Sequence, residues 1–256
     1  MDFHHENFLR RSRYVTVFFV LLIAFGAITV LNINTGNVHI SVENILKIIF
    51  LRQGEEMEYN IIWKIRLPRI LMAAILGGGL SLSGFLLQTF FENPIAGPFV
   101  LGISSGAKMV VALAMIYFIG HYQVVSSYTL IIAAFIGSLI ATGFILLMSR
   151  RVQHMATLLV AGIMVGYICS AVTDFVVTFA EDSDIVNLHG WSQGSFSGMS
   201  WSNVQVAAIV VGIAALLAFL MSKPIGAYQL GEAYAQSMGV NIKAFRVILI
   251  LLSSIL

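Results

Sequence analysis

Arg66 and Arg69, in the run RLPR, stand three residues apart, which places them near one face of a helix start. Arginine's planar fork matches a carboxylate. The pair could therefore grip an acidic partner, or anchor a helix end at a membrane surface by charge alone. Other ionisable groups are sparse. Asp174 is the lone acid inside the apolar run 156–180. An intramembrane acid is a functional candidate, although its place near the end of the run also suits a wetted interface. Lys108 lies inside another apolar run, where it could snorkel to the interface or line a path. The six histidines His4, His5, His39, His121, His154 and His189 are scattered and form no HExxH or comparable cluster. Cys169 is the single cysteine, which excludes an internal disulfide framework and a cysteine-only zinc site. No G-x-x-x-x-G-K-[ST] phosphate loop occurs. The residue types point to no catalytic centre, no metal and no cofactor.

The elements that carry these residues are membrane helices. Of 256 residues, 59% are hydrophobic and 10% charged, too few charges for the surface of a soluble domain this large. Uncharged apolar runs of about 18 residues or more recur, the signature of spanning helices rather than of a β-barrel's short alternating strands. The expected fold is all-α, a polytopic membrane helical bundle. The expected spans are 14–33, 67–90, 99–119, 128–149, 156–180 and 203–222, six complete, with part of a seventh from Phe245. The first run lacks a small-x-small cleavage site and reads as an uncleaved span.

Arg10, Arg11, Arg13, Arg150, Arg151, Lys223, Lys243 and Arg246 fall on one side if the N-terminus is cytoplasmic. The acidic EDSD at 181–184 falls on the other, as does the segment 34–66. Within that segment SVENILKIIF (41–50) has helical spacing and Ser41 as N-cap, so it predicts a short helix lying on the membrane surface. FENPIAGPFVLGISSGA (91–107) breaks the helical pattern with two prolines and three glycines. Irregular backbone at that depth is tolerable only where protein covers it or water reaches it, which predicts a tight buried corner.

The stretch RLPRILMAAILGGGLSLSGFLLQTFFENPIAGPFVLGISSGA (66–107) closely resembles a signature of the permease subunits of ABC importers for iron–siderophores, haem and cobalamin. LLVAGIMVGYICSAV (158–172), WSQGSFSGMSW (191–201) and LGEAYAQSMGVNI (230–242) agree with that family in order and spacing. The resemblance covers about residues 60–250 and departs at Lys108, a position that is usually small and apolar. It implies one transmembrane permease domain over 1–256, incomplete against a fold of about ten spans. It implies a multi-pass protein of the cell membrane with a cytoplasmic N-terminus. It implies three protein partners, namely cytoplasmic ABC ATPase subunits, an external substrate-binding protein and a second permease copy; nucleic acid is not among the partners. ATP hydrolysis then belongs to the separate ATPase.

The resemblance also assigns residues. Arg66 and Arg69 would dock the binding protein. Gly231, Glu232, Ala235, Gln236 and Met238 would form the loop that engages the ATPase, with Gly239 as its helix stop. His154, Met155 and Asp174 would belong to the gate and path, although His154 and Met155 replace the small hydroxyl residues usual there. Two other classes stand beside this reading. An ion-coupled secondary transporter would need coupling residues near midplane, for which Lys108 and Asp174 are the candidates. A membrane-embedded enzyme would need a cluster that the histidines do not form.

Overall fold

The computed structural model describes residues 3–36, 38, 40–119, 127–149, 151–152 and 155–256. The chain gathers into two compact units. The first comprises 1–74 with 196–205, and the second comprises 75–195 with 206–256. Among the described residues five helices are long and apolar enough to cross a membrane, so the chain is a multi-pass helical membrane protein.

In the first unit, α1 (Phe3–Asn34) is apolar all round beyond its basic start, and side chains such as Phe18 and Leu22 are more than half exposed. Such a helix suits lipid rather than water. The chain then packs α2 (Val42–Leu46), π turns over Lys47–Leu51 and α3 (Glu56–Asn60) around Ile33, Ile40, Ile45, Ile48 and Ile62. The predicted N-cap is present, as the Ser41 hydroxyl accepts from the Asn44 N–H at 3.2 Å. The inward face is Ile45 and Ile48, while Val42 and Leu46 remain about half exposed.

The second span starts earlier than its proline suggests. Helix runs unbroken from Glu56 to Phe91, with π turns over Ile61–Arg66 leading into α4 (Leu67–Phe91). Pro68 therefore sits inside a helix. Its ring lacks an N–H and would clash with the Lys64 carbonyl in regular α geometry. Widening the preceding turn relieves that clash without ending the helix.

In the second unit, α4 ends at a corner where Glu92 takes a left-handed φ of 49°. The corner's polar groups are satisfied locally. Asn93 Oδ1 accepts from the Ile95 N–H at 2.9 Å, and Gln88 Nε2 donates to the Pro94 carbonyl at 3.1 Å. α5 (Ile103–Ile119) begins four residues later than predicted, because 99–102 is a turn closed onto Gly97 and ended by Gly102 at φ +73°. Beyond it come α6 (Ser127–Ser149) and α7 (Met155–Val177). These three helices meet backbone to backbone. A Cβ on Gly102 would lie 2.5 Å from the Gly166 nitrogen, and one on Gly137 would lie 2.2 Å from the Gly106 carbonyl oxygen. Small residues at such seams let membrane helices approach closely.

The acidic run 181–184 begins a helix, α8 (Asp182–Gln193), with Asp182 and Asp184 in its first turn, where the helix dipole favours negative charge. α9 (Trp201–Leu220) is followed by short α10 (Ser222–Gln229) and α11 (Glu232–Ser237), then α12 (Ile242–Ile255). Buried hydroxyls tie α12 to its neighbours. Ser83 donates to the Ser253 carbonyl, and Thr142 bonds Ser254, both at 2.7 Å. The corner residues Phe90, Phe91, Ala96 and Leu101 share one buried cluster with Tyr228, Ala235 and Phe245.

Candidate functional site

Arg66 and Arg69 differ in role although they share a motif. Arg66 is half-buried and its guanidinium is committed to backbone. It donates to the Ile33 carbonyl, in the last turn of α1, and through Nη2 to the Val38 carbonyl at 2.6 Å. It thus satisfies one of the orphan carbonyls that end α1. Gly36 leaves room beside it, since a Cβ there would lie 2.5 Å from Nη2 and the guanidinium would have to shift. Arg69 is exposed and makes no hydrogen bond or ion pair among the described residues. It borders a recess with Asn32, Thr35, Ile61 and Ile65. Of the two, only Arg69 offers its fork outward.

Two tryptophans that sequence reasoning passed over hold this unit together. Trp201 Nε1 donates to the Trp63 carbonyl at 2.7 Å, and Trp63 Nε1 donates to the Ile48 carbonyl at 3.3 Å. Their ring centroids lie 5.6 Å apart, and the Arg52 guanidinium sits 5.4 Å from the Trp63 ring. The available signal was indole at the ends of apolar runs, where amphipathic rings gather.

In the second unit, α11 is built as a rigid handle. Gly231, at φ +115°, turns the chain into it. At the other end the Val240 N–H bonds the Ala235 carbonyl and the Gly239 N–H bonds the Gln236 carbonyl, both at 3.0 Å. This is a Schellman cap, and Gly239 supplies its left-handed residue at φ +86°, as the sequence predicts. Arg246 of α12 donates through Nη2 to Glu232 Oε2 at 2.8 Å and through Nε to the Tyr228 hydroxyl at 3.2 Å. One guanidinium therefore links α10, α11 and α12. Tyr228 is fully buried beside Phe245, and that burial pushes its phenol above the ordinary range while the Arg246 charge pulls it back.

The five residues expected to engage an ATPase divide accordingly. Glu232, Gln236 and Met238 are exposed, and Met238 is 65% open. Ala235 is at 0% exposure, inside the buried cluster with Tyr228 and Phe245. That corrects the expectation of Ala235 as a contact, because its methyl seats α11 on the core. The exposed apolar residues beside it are Leu230 and Tyr234, which the sequence reading did not select.

Of the path residues, His154 lies outside the described residues. Met155 opens α7 and packs partly on the large core cluster. Asp174 is exposed, three residues before the end of α7 and off its buried face of Leu158, Gly162, Val165 and Cys169. Lys108 is half-buried near the start of α5. Asp184 is 5% exposed, with Oδ1 buried and without a hydrogen-bond partner among the described residues; a carboxylate in an acidic loop gave no sequence signal of burial. Among the described residues no three His, Cys, Asp or Glu side chains converge as a metal site.

The model of the FecCD transport family matches residues 21–256. The haemin transport system permease protein HmuU of Yersinia pestis is 36% identical over 197 residues, covering 76% of this chain and 59% of that protein. The vitamin B12 import system permease protein BtuC of Klebsiella pneumoniae is 34% identical over 189 residues, covering 74% of this chain and 56% of its own length. The chain thus spans less than three-fifths of the length of these two relatives. A solved structure described as an inward-facing conformation of a metal-chelate type ABC transporter superposes with a TM-score of 0.79 at 23% identity, covering 94% of this chain and 73% of its own. That likeness establishes the helical architecture. With its match running from the first apolar helix through α12, the chain belongs to the FecCD transport family.

Proposed function

We propose that the chain acts as the membrane permease of an ATP-driven importer for a metal chelate, haem or a cobalamin-like compound. The observation that carries this reading is α11. It is a short helix with Glu232, Gln236 and Met238 exposed, fixed at both ends by glycines and bonded through Glu232 to Arg246. A helix so held can pass a push from a cytoplasmic ATPase into the bundle without fraying. Its buried residue Ala235 shares one core cluster with Phe90, Ala96 and Leu101 of the corner that opens α5, so displacement of α11 bears on that cluster. Transport proceeds by alternating access between two permease copies, with ATP hydrolysed by a separate subunit.

An external binding protein docks through carboxylates on Arg69, while Arg66 sets the shape of that surface from beneath. Met155 stands at the cytoplasmic entrance of the path and Asp174 near its external end. The N-terminus is cytoplasmic and the membrane is the inner or plasma membrane. An ion-coupled carrier is disfavoured by the exposed position of Asp174 and by its lack of an ionic partner among the described residues. Uptake of haem or a ferric chelate into vesicles containing the permease, a matched ATPase and a binding protein tests the reading. It should require ATP and survive collapse of the proton gradient; uptake that follows the gradient and ignores ATP would overturn it.

A further inference from the structure

Between the last turn of α6 and the first two turns of α12 lies a cavity of about 530 Å³, lined by Leu146, Ser149, Lys243, Arg246 and Val247. Lys243 and Arg246 also border a second recess, on the side of Glu232 and Gln236. They are three residues apart on α12 and so occupy one face. Arg246 commits Nη2 to Glu232 and Nε to Tyr228, which leaves Nη1 unbonded among the described residues. Lys243 is exposed and has no ionic partner among them.

The local charge does not cancel. The two cations contribute two positive charges and Glu232 removes one. The C-terminus of α6 and the N-terminus of α12 contribute about −0.5 and +0.5, which offset one another. Among the described residues, about one positive charge is left facing a cavity whose lining includes no acid. The Ser149 hydroxyl donates to its own helix at Leu146 O, so the cations dominate the polar wall.

The other wall is apolar, and depth matters. α6 is long and apolar enough to cross a membrane and ends at Ser149. The cavity therefore sits where hydrocarbon gives way to headgroups. A ligand that carries one negative charge and an apolar body matches both walls. We propose that this cavity binds a single anionic phospholipid, its phosphate held by Lys243 and Arg246 and its acyl chains lying along Leu146 and Val247. Basic pockets between membrane helices hold lipid headgroups by the same physics. The site stands independently of the transport reading.

The test is native mass spectrometry and thermal unfolding of the purified chain in neutral detergent. Phosphatidylglycerol, phosphatidylcholine and inorganic phosphate are supplied separately. One phosphatidylglycerol should be retained and raise the unfolding temperature, whereas phosphatidylcholine should not. Lys243→Gln should weaken phosphatidylglycerol retention roughly fivefold, the equivalent of about 1 kcal/mol per cation at a membrane surface. Val247→Trp should weaken it by filling the apolar wall. Lys223→Gln, at an exposed cation outside the cavity lining, should leave it unchanged. Equal retention of the two lipids would overturn the proposal, as would equal loss in the Lys223 and Lys243 variants. Inorganic phosphate alone reproducing the Lys243-dependent stabilisation would overturn the assignment to lipid.

Discussion

Arg66 donates to the Val38 carbonyl at 2.6 Å across a span of 28 residues, and Gly36 leaves room for it. The first arginine of the RLPR motif is therefore a clamp on the end of α1 before it is anything else. The expected consequence is a split between the two arginines. Arg66→Ala should lower thermal stability by about 1–3 kcal/mol through lost charge-assisted bonds to carbonyls that then go unpaired. Arg69→Glu should leave stability within about 0.5 kcal/mol and weaken association with a binding protein at low salt. Unfolding curves and a salt-resolved binding titration on the two variants decide this. A stable Arg66→Ala variant with impaired docking would reverse the assignment.

At Gly137 the seam between α5 and α6 admits no methyl group. Gly137→Ala should destabilise the bundle by about 1–3 kcal/mol, because the nearest atoms are backbone and neither helix can yield locally. Gly143→Ala, on the same helix with nothing within 4 Å of its would-be Cβ, should be neutral or slightly stabilising. Comparing the two unfolding midpoints in one detergent checks the contrast.

Because Ala235 is buried, Ala235→Lys should act through packing. We expect the variant to lose thermal stability and coupling together, since the new side chain cannot enter the core beside Tyr228 and Phe245. Gln236→Lys, at an exposed position, should spare stability and alter only ATPase association. Retained stability in the Ala235 variant would show that α11 lifts away from the core.

Tyr228 gives the alkaline limb of stability a specific origin. Its phenol is raised by burial. The folded state therefore holds the proton more tightly than the unfolded chain, whose tyrosines titrate near about pH 10. The stabilisation is complete below that pH and is lost as pH rises through the higher folded value. Tyr228→Phe should remove this part of the alkaline fall, at a loss of about 1 kcal/mol at neutral pH from the missing Arg246 bond. Thermal midpoints between about pH 7 and 11 read both effects.

Five of the six expected spans were legible because uncharged runs of that length have few other uses, whereas 99–119 holds only the shorter apolar helix α5; the Gly239 stop was legible because a left-handed cap needs glycine. The start of the second span was not legible. Pro68 reads as a first-turn residue, whereas widened turns carry the helix back to Glu56. Ala235 also misled, since a small residue suits a partner's groove and a crowded core equally well. Arg66 was legible as a gripping group, but its target depends on Val38 and Ile33 arriving from elsewhere in the chain. The burial of Asp184 depends on how α8 packs, which an acidic tetrapeptide does not encode.

Gly102 lets the start of α5 meet the α7 backbone at Gly166, and Gly106 meets the α6 backbone at Gly137 beside the Ala141 methyl. Such seams close only at one register, because a slip of one residue sets a Cβ against a carbonyl. The three-helix block therefore proofreads its own assembly. A shifted pairing would set side chains against backbone, and the close seam leaves little room along which the helices can slide.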